Sequence, residues 1–273
     1  MFGKLMKYEM RYLIRIFAPM WVIVLALCTF SRLTIRPDLD GIMYMEGIQA
    51  LLPVLAIMLA VTAIITMMIV ATVVLLQRFY KGMYGDEGYL MFTLPVTTGS
   101  LIHSKALSAV VMMVVSALVT WIGVLIMVSY PQIWGELDMN WSEMYQMVLE
   151  VNGLSGLEPV ALAFWVVIAG VMSTVQGIYL IYFAISIGQL WKKHPVMGAI
   201  GAYYVLSLVA SFSIGGLGNT KLENIMNHFV TADLEYGALL AIILIAATLY
   251  CLLWTAISIF GTKLILDRKL NIQ

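Results

Sequence analysis

Few side chains in this sequence have the type and spacing that chemistry requires. Ser155 sits in Gly153-Leu154-Ser155-Gly156, where small neighbours leave a hydroxyl open to attack a carbonyl. A serine nucleophile needs a base within hydrogen-bond reach. Of the three histidines, His103, His194 and His228, only His228 shares the side of Ser155 in the chain's charge pattern, and it falls in the predicted loop Asn227-His228-Phe229-Val230. Cys28 and Cys251 stand alone in apolar runs, without metal-ligand spacing or a redox partner, and read as small apolar fillers. No G-x-x-x-x-G-K-S/T loop is present to hold a nucleotide phosphate, and no H-E-x-x-H pair to hold zinc. The segment that stands out instead is Tyr84-Gly85-Asp86-Glu87-Gly88-Tyr89-Leu90-Met91-Phe92-Thr93-Leu94-Pro95. It sets large apolar side chains beside two acids, which is the composition of a contact surface rather than a reaction centre.

The elements that must position these residues follow from composition. Of 273 residues, 62% are hydrophobic and 11% charged, against about 25% charged in an ordinary soluble domain. A soluble fold of this length needs a charged surface that the chain does not have, which excludes a cytosolic enzyme, a nucleic-acid binder and a disordered protein. A spanning helix needs about 20 mostly apolar residues. Uncharged runs of 31, 30, 33 and 27 residues follow Glu46, Lys105, Glu158 and Glu235, and 26 follow His194. A shorter run of 16 lies between Arg15 and Arg32, and Leu13, Ile14 and the stem of Arg15 extend it by snorkelling. A closed barrel would show alternating segments of about 10 residues instead. The expected fold is all-α and integral to the membrane. It is a single domain over residues 1–273, with six spans near 14–31, 50–77, 106–130, 160–190, 196–214 and 237–262.

Charge sets the expected orientation. Twelve of the fifteen basic residues fall in the N-terminus, the second and fourth connections and the C-terminal tail, and eleven of the fifteen acids fall in the other three loops. Positive charge in short loops stays cytoplasmic, so both termini are expected inside. Glu9, Asp86, Glu87 and Asp267 are the four acids on the basic side. Residues 2–15 read as an amphipathic interfacial helix whose Lys4, Lys7 and Arg11 meet lipid phosphates, or as a basic flank that only sets topology. A cleaved signal peptide is opposed by the long basic region and by Leu27, too bulky for the residue before a cleavage site. The loop 131–158 is expected to fold a surface helix capped by Asn140 and anchored by Trp134 and Trp141. Gly215, Gly216 and Gly218 are expected to break the fifth helix and lead into a re-entrant or surface segment. No charged residue falls in the centre of any span, which argues against a proton relay.

In the 84–95 segment, Asp86 and Glu87 suit the start of a short helix, where negative charge meets the positive end of the dipole, and Pro95 ends it. A helix merely resting on lipid would share the aromatic side chains, but an anionic lipid surface disfavours the two acids. This segment, with the six-span plan and the basic amphipathic N-terminus, resembles the permease subunits of ATP-binding-cassette (ABC) exporters. It is most similar to the type-2 (type V) ABC permeases of Gram-positive bacteria that export peptides or antimicrobials. The resemblance implies that Tyr84, Gly85, Asp86, Glu87, Gly88, Tyr89, Leu90, Met91, Phe92 and Leu94 form a coupling loop docking on a cytoplasmic ATPase. It implies a second coupling turn at Lys192, Lys193 and His194, between Trp191 and Pro195.

The same resemblance implies a permease dimer, homo- or heteromeric, in a bacterial plasma membrane, paired with ABC ATPase subunits that carry the ATP and Mg. This chain itself would then be no enzyme and bind no cofactor, its lipid contacts aside. The substrate implied is hydrophobic or amphipathic, such as a peptide. A non-transporting sensor or assembly protein using the same loop for docking stays open as an alternative. The Gly153–Gly156 run also resembles the G-x-S-G of rhomboid proteases, but the rhomboid histidine sits within a span, and His228 is expected in a loop.

Overall fold

A computed structural model describes residues 2–34, 48–85, 88, 97–129, 158–191, 193–217 and 236–270. Six helices account for nearly all of them: α1 (Phe2–Thr34), α2 (Ile48–Tyr84), α3 (Thr98–Val128), α4 (Glu158–Gly188), α5 (Pro195–Leu217) and α6 (Tyr236–Leu270). Each is long and apolar enough to cross a membrane, and no strand occurs among the described residues. The chain is an all-helical, multi-pass membrane protein. In its apolar segments the side chains face outward: within the spanning window of α5 only 6% are buried. Val205, Leu208 and Phe212 of α5 are exposed, as hydrocarbon-facing residues are.

Several helices outrun the charges that bound the uncharged runs. The second connection was expected to begin near Arg78, yet α2 continues through Arg78 and Lys81 to Tyr84, and α3 opens at Thr98, seven residues before Lys105. Charge marks where hydrocarbon ends, whereas a helix ends where its backbone bonds do. At 37 residues α2 is about 55 Å long, well beyond the ~30 Å of a hydrocarbon layer. Residues 2–15 are likewise the first turns of α1, continuous with its span. The expected break at Gly215 and Gly216 does not occur, because α5 runs through both to Leu217. With no water competing for backbone groups in lipid, glycine is tolerated inside a spanning helix. The surface helix of 140–151, the Ser155 and His228 runs and the segment after Leu217 lie outside the described residues.

The chain divides into two compact units. In the first, Met1–Gly88 with Leu107–Trp141, α1 packs on α2. Val24 and Cys28 meet Ala60 and Met67, flanked by Trp21, Ile64 and Met127. Trp21 Nε1 donates to Ser116 Oγ at 3.0 Å, and Arg32 Nε donates to the Ser129 carbonyl at 2.7 Å, tying α1 to α3 and to the residue that follows it. Cys28 is the filler expected of it, with Gly123 leaving room for its sulfur. In the second unit, Tyr89–Ala106 with Ser142–Gln273, α4 packs on α5 and α6. The Tyr250 hydroxyl donates to the Ala210 carbonyl at 2.7 Å. Hydroxyls elsewhere, such as those of Thr62, Thr66, Thr255 and Thr262, donate to a carbonyl one turn back in their own helix. That satisfies them without a partner helix.

Candidate coupling region

The expected contact segment is best built from its two flanks. On the first flank the last turns of α2 are fastened to α1 by charge. Arg78 Nε donates to Glu9 Oε2 at 2.8 Å and Nη2 to Oε1 at 3.3 Å, a two-pronged pairing of guanidinium and carboxylate. The Arg78 guanidinium also lies 4.4 Å from the centre of the Tyr12 ring, within cation–π range. Glu9 is 6% exposed and Arg78 20%. Phe17 and Phe79 are fully buried nearby in sequence, Leu13 almost so.

Tyr84, expected in the loop, is instead the last residue of α2, its ring edge-on to Phe79 at 6.3 Å. The chain then turns sharply. Gly85 N–H donates to the Tyr80 carbonyl at 3.2 Å, a bond typical of a helix C-terminus, and Gly88 N–H donates to the Gly85 carbonyl at 2.8 Å. A Cβ at Gly85 would lie 2.9 Å from the Lys81 carbonyl oxygen, and one at Gly88 2.9 Å from that of Met83. Both glycines are therefore demanded by close backbone approach. Asp86, Glu87, Tyr89, Leu90, Met91, Phe92 and Leu94 lie outside the described residues.

On the second flank Thr97 caps α3: its Oγ1 accepts from the Ser100 N–H at 3.3 Å. Thr98 Oγ1 donates to Asp267 Oδ1 at 2.9 Å, fastening the start of α3 to the end of α6. One turn further, His103 Nδ1 lies 2.7 Å from the Tyr179 hydroxyl, and Lys105 is 5% exposed. None of Glu9, Tyr12, Arg78, Thr97, Thr98 and Asp267 was among the site residues expected from the sequence. The signal available was that Glu9 and Asp267 are two of only four acids on the basic side.

No family model, curated protein or solved structure matches the chain. Its function must therefore be argued from its own residues.

The second expected turn is tight. Leu190 and Trp191 N–H donate to the Ile187 and Gly188 carbonyls, and the His194 carbonyl accepts from Gly198 N–H to open α5. Pro195 stands first in that helix, where its missing N–H removes nothing. Lys193, His194 and Trp191 are exposed, and Lys192 lies outside the described residues. Gly188 and Gly198 let the two helices touch: a Cβ on Gly188 would overlap the backbone of Pro195 and Ala199. Elsewhere, an apolar groove of about 630 Å³ lies on α1 and α2, lined by Met20, Leu55, Met58, Thr62, Thr66 and Met67 among others. Its two threonine hydroxyls give their protons to carbonyls of their own helix, which leaves them as acceptors only. No group of metal ligands occurs among the described residues.

Proposed function

We propose that this chain is the permease subunit of an ABC exporter, with the 84–94 segment as its docking element for a cytoplasmic ATPase. The observation that carries the reading is mechanical. A contact loop that only rested on a partner would not need rigid flanks, and here each flank is pinned. The α2 end is held by Glu9 and Arg78, and the α3 start by its Thr97 cap and by Asp267. Movement imposed on such a segment passes into spanning helices instead of being absorbed by local bending. ATP and Mg reside on the partner, and ATP binding there drives the change of access. In this reading the termini and the 84–94 segment are cytoplasmic, two permeases assemble in a bacterial plasma membrane, and the cargo is hydrophobic or amphipathic, such as a peptide.

The test is association. Purified from its native membrane, the protein should carry an ABC ATPase whose hydrolysis is vanadate-sensitive. Phe92→Ala and Leu90→Asp should each weaken that association by about tenfold, the loss of one well-packed anchor. If no such ATPase co-purifies, or both variants retain it at full strength, the permease reading falls. A membrane sensor using the same segment would keep a partner of another kind and show no vanadate-sensitive transport.

A further inference from the structure

We propose that the N-terminal half of α1 is a binding site for anionic phospholipid headgroups, selective for net charge and indifferent to headgroup identity. This does not rest on the permease reading. The observation is a stripe along one face of a single helix. At about 100° per residue, Lys4, Lys7, Arg11 and Arg15 fall within an arc of about 80°, rising about 16 Å along the axis. All four are exposed, as are Tyr8 (70%) and Tyr12 on the edge of the arc. Among the described residues none of the four has an ion-pair or hydrogen-bond partner. The one acid in this half, Glu9, lies on the opposite, buried side with Leu13 and Phe17, and its charge is matched by Arg78. The stripe therefore keeps its full charge of +4.

The continuation of the stripe identifies its partner. The same arc extends up α1 through Val22, Ala26, Thr29 and Leu33, all exposed and all uncharged. The switch from basic to uncharged comes between Arg15 and Val22. Pro19 lies there too, and it donates no bond to the Arg15 carbonyl. A face that is apolar and exposed over the spanning length is a lipid-facing face, and its basic extension meets the headgroups of the same leaflet. Charge complementarity then selects phosphate-bearing lipids with net negative charge over zwitterionic ones. Four separate, flexible side chains form no pocket that could read the rest of the headgroup.

The full-length protein should be reconstituted in phosphatidylcholine vesicles with spin-labelled phosphatidylglycerol, phosphatidylserine or phosphatidylcholine, and the protein-restricted fraction of each measured. The wild type should restrict both anionic lipids at least about twofold more than phosphatidylcholine. That preference should vanish in 1 M salt, where screening shortens to about 3 Å. It should fall by more than half with Lys4, Lys7, Arg11 and Arg15 all changed to Gln, the other basic residues of that side holding the remainder, and by a smaller amount in the milder Lys7→Gln/Arg11→Gln pair. A photoreactive residue at Tyr8 should attach to lipid. The proposal is overturned if the wild type shows no anionic preference, if the preference is undiminished in the Gln variants that insert, if the two anionic lipids differ as much from each other as from phosphatidylcholine, or if Tyr8 attaches to an acidic protein and not to lipid.

Discussion

A carboxylate as buried as that of Glu9 must either lose its charge or find a cation, and Arg78 supplies two nitrogens to its two oxygens. Breaking one side of such a pair leaves the other charge buried and uncompensated, which costs about 3 kcal/mol or more. Glu9→Leu and Arg78→Met should therefore each lower the thermal midpoint of the detergent-solubilised protein, while Glu9→Leu/Arg78→Met should recover most of the loss. A double-mutant cycle measures this coupling directly. Additive losses would mean that the pair contributes nothing as a pair. At this scale the sequence was legible in its exceptions. Glu9 and Asp267 were counted as acids on a basic side without a role, and both prove to fasten helices, but their partners Arg78 and Thr98 lie 69 and 169 residues away. Distance along the chain hides such pairing, because charge counting sees which side a residue is on and not which neighbour it meets. Tyr84 shows the other failure. It was expected in the docking loop, yet it closes α2, and the turn begins at Gly85, seven residues beyond Arg78, where charge put the end of the run.

Among the elements, glycines decide how closely the helices of the second unit approach, and they do so in two different ways. At Gly188 a Cβ would run into the backbone of α5, at Pro195 and Ala199. At Gly261 it would run into the ring of Phe183 on α4. Backbone cannot move aside without moving the helix, whereas a ring can be exchanged for something smaller. Gly188→Ala and Gly261→Ala should each destabilise by about 1–3 kcal/mol, the usual penalty of overpacking. Adding Phe183→Leu should restore Gly261→Ala and leave Gly188→Ala unimproved. Thermal aggregation of the four variants in one detergent checks the pattern, and rescue of both or of neither would contradict it. All six spans were legible, because runs of uncharged residues near or beyond 20 leave helices as the simplest solution in lipid. Their ends were less legible. Helix α2 outlasts its apolar run by two turns, and α5 passes through Gly215 and Gly216, since neither charge nor glycine alone terminates a helix whose backbone bonds remain satisfied.

For the whole molecule, a net charge of zero conceals two sets of segments of opposite charge along the chain. The basic set comprises the N-terminal stripe of α1, the far end of α2, the α4–α5 turn and the end of α6. The six spans among the described residues are an even number, which predicts that the two termini share a face whichever way the protein inserts. The basic excess predicts that this face is the cytoplasmic one, because short basic loops resist translocation. Cys28 and Cys251 are buried, so single cysteines can be added against a quiet background. In intact cells, a membrane-impermeant maleimide should label Arg36→Cys and Asn140→Cys, and should reach Lys4→Cys, Lys193→Cys and Asn271→Cys only after the membrane is opened. The same experiment bears on function. A segment that docks on a cytoplasmic ATPase must lie with the protected set, so Thr93→Cys should label only in opened cells. If Thr93→Cys labels from outside while Lys4→Cys does not, the six-span count fails. If both label from outside, the count stands, but the 84–94 segment faces away from any ATPase and the permease reading is lost with it.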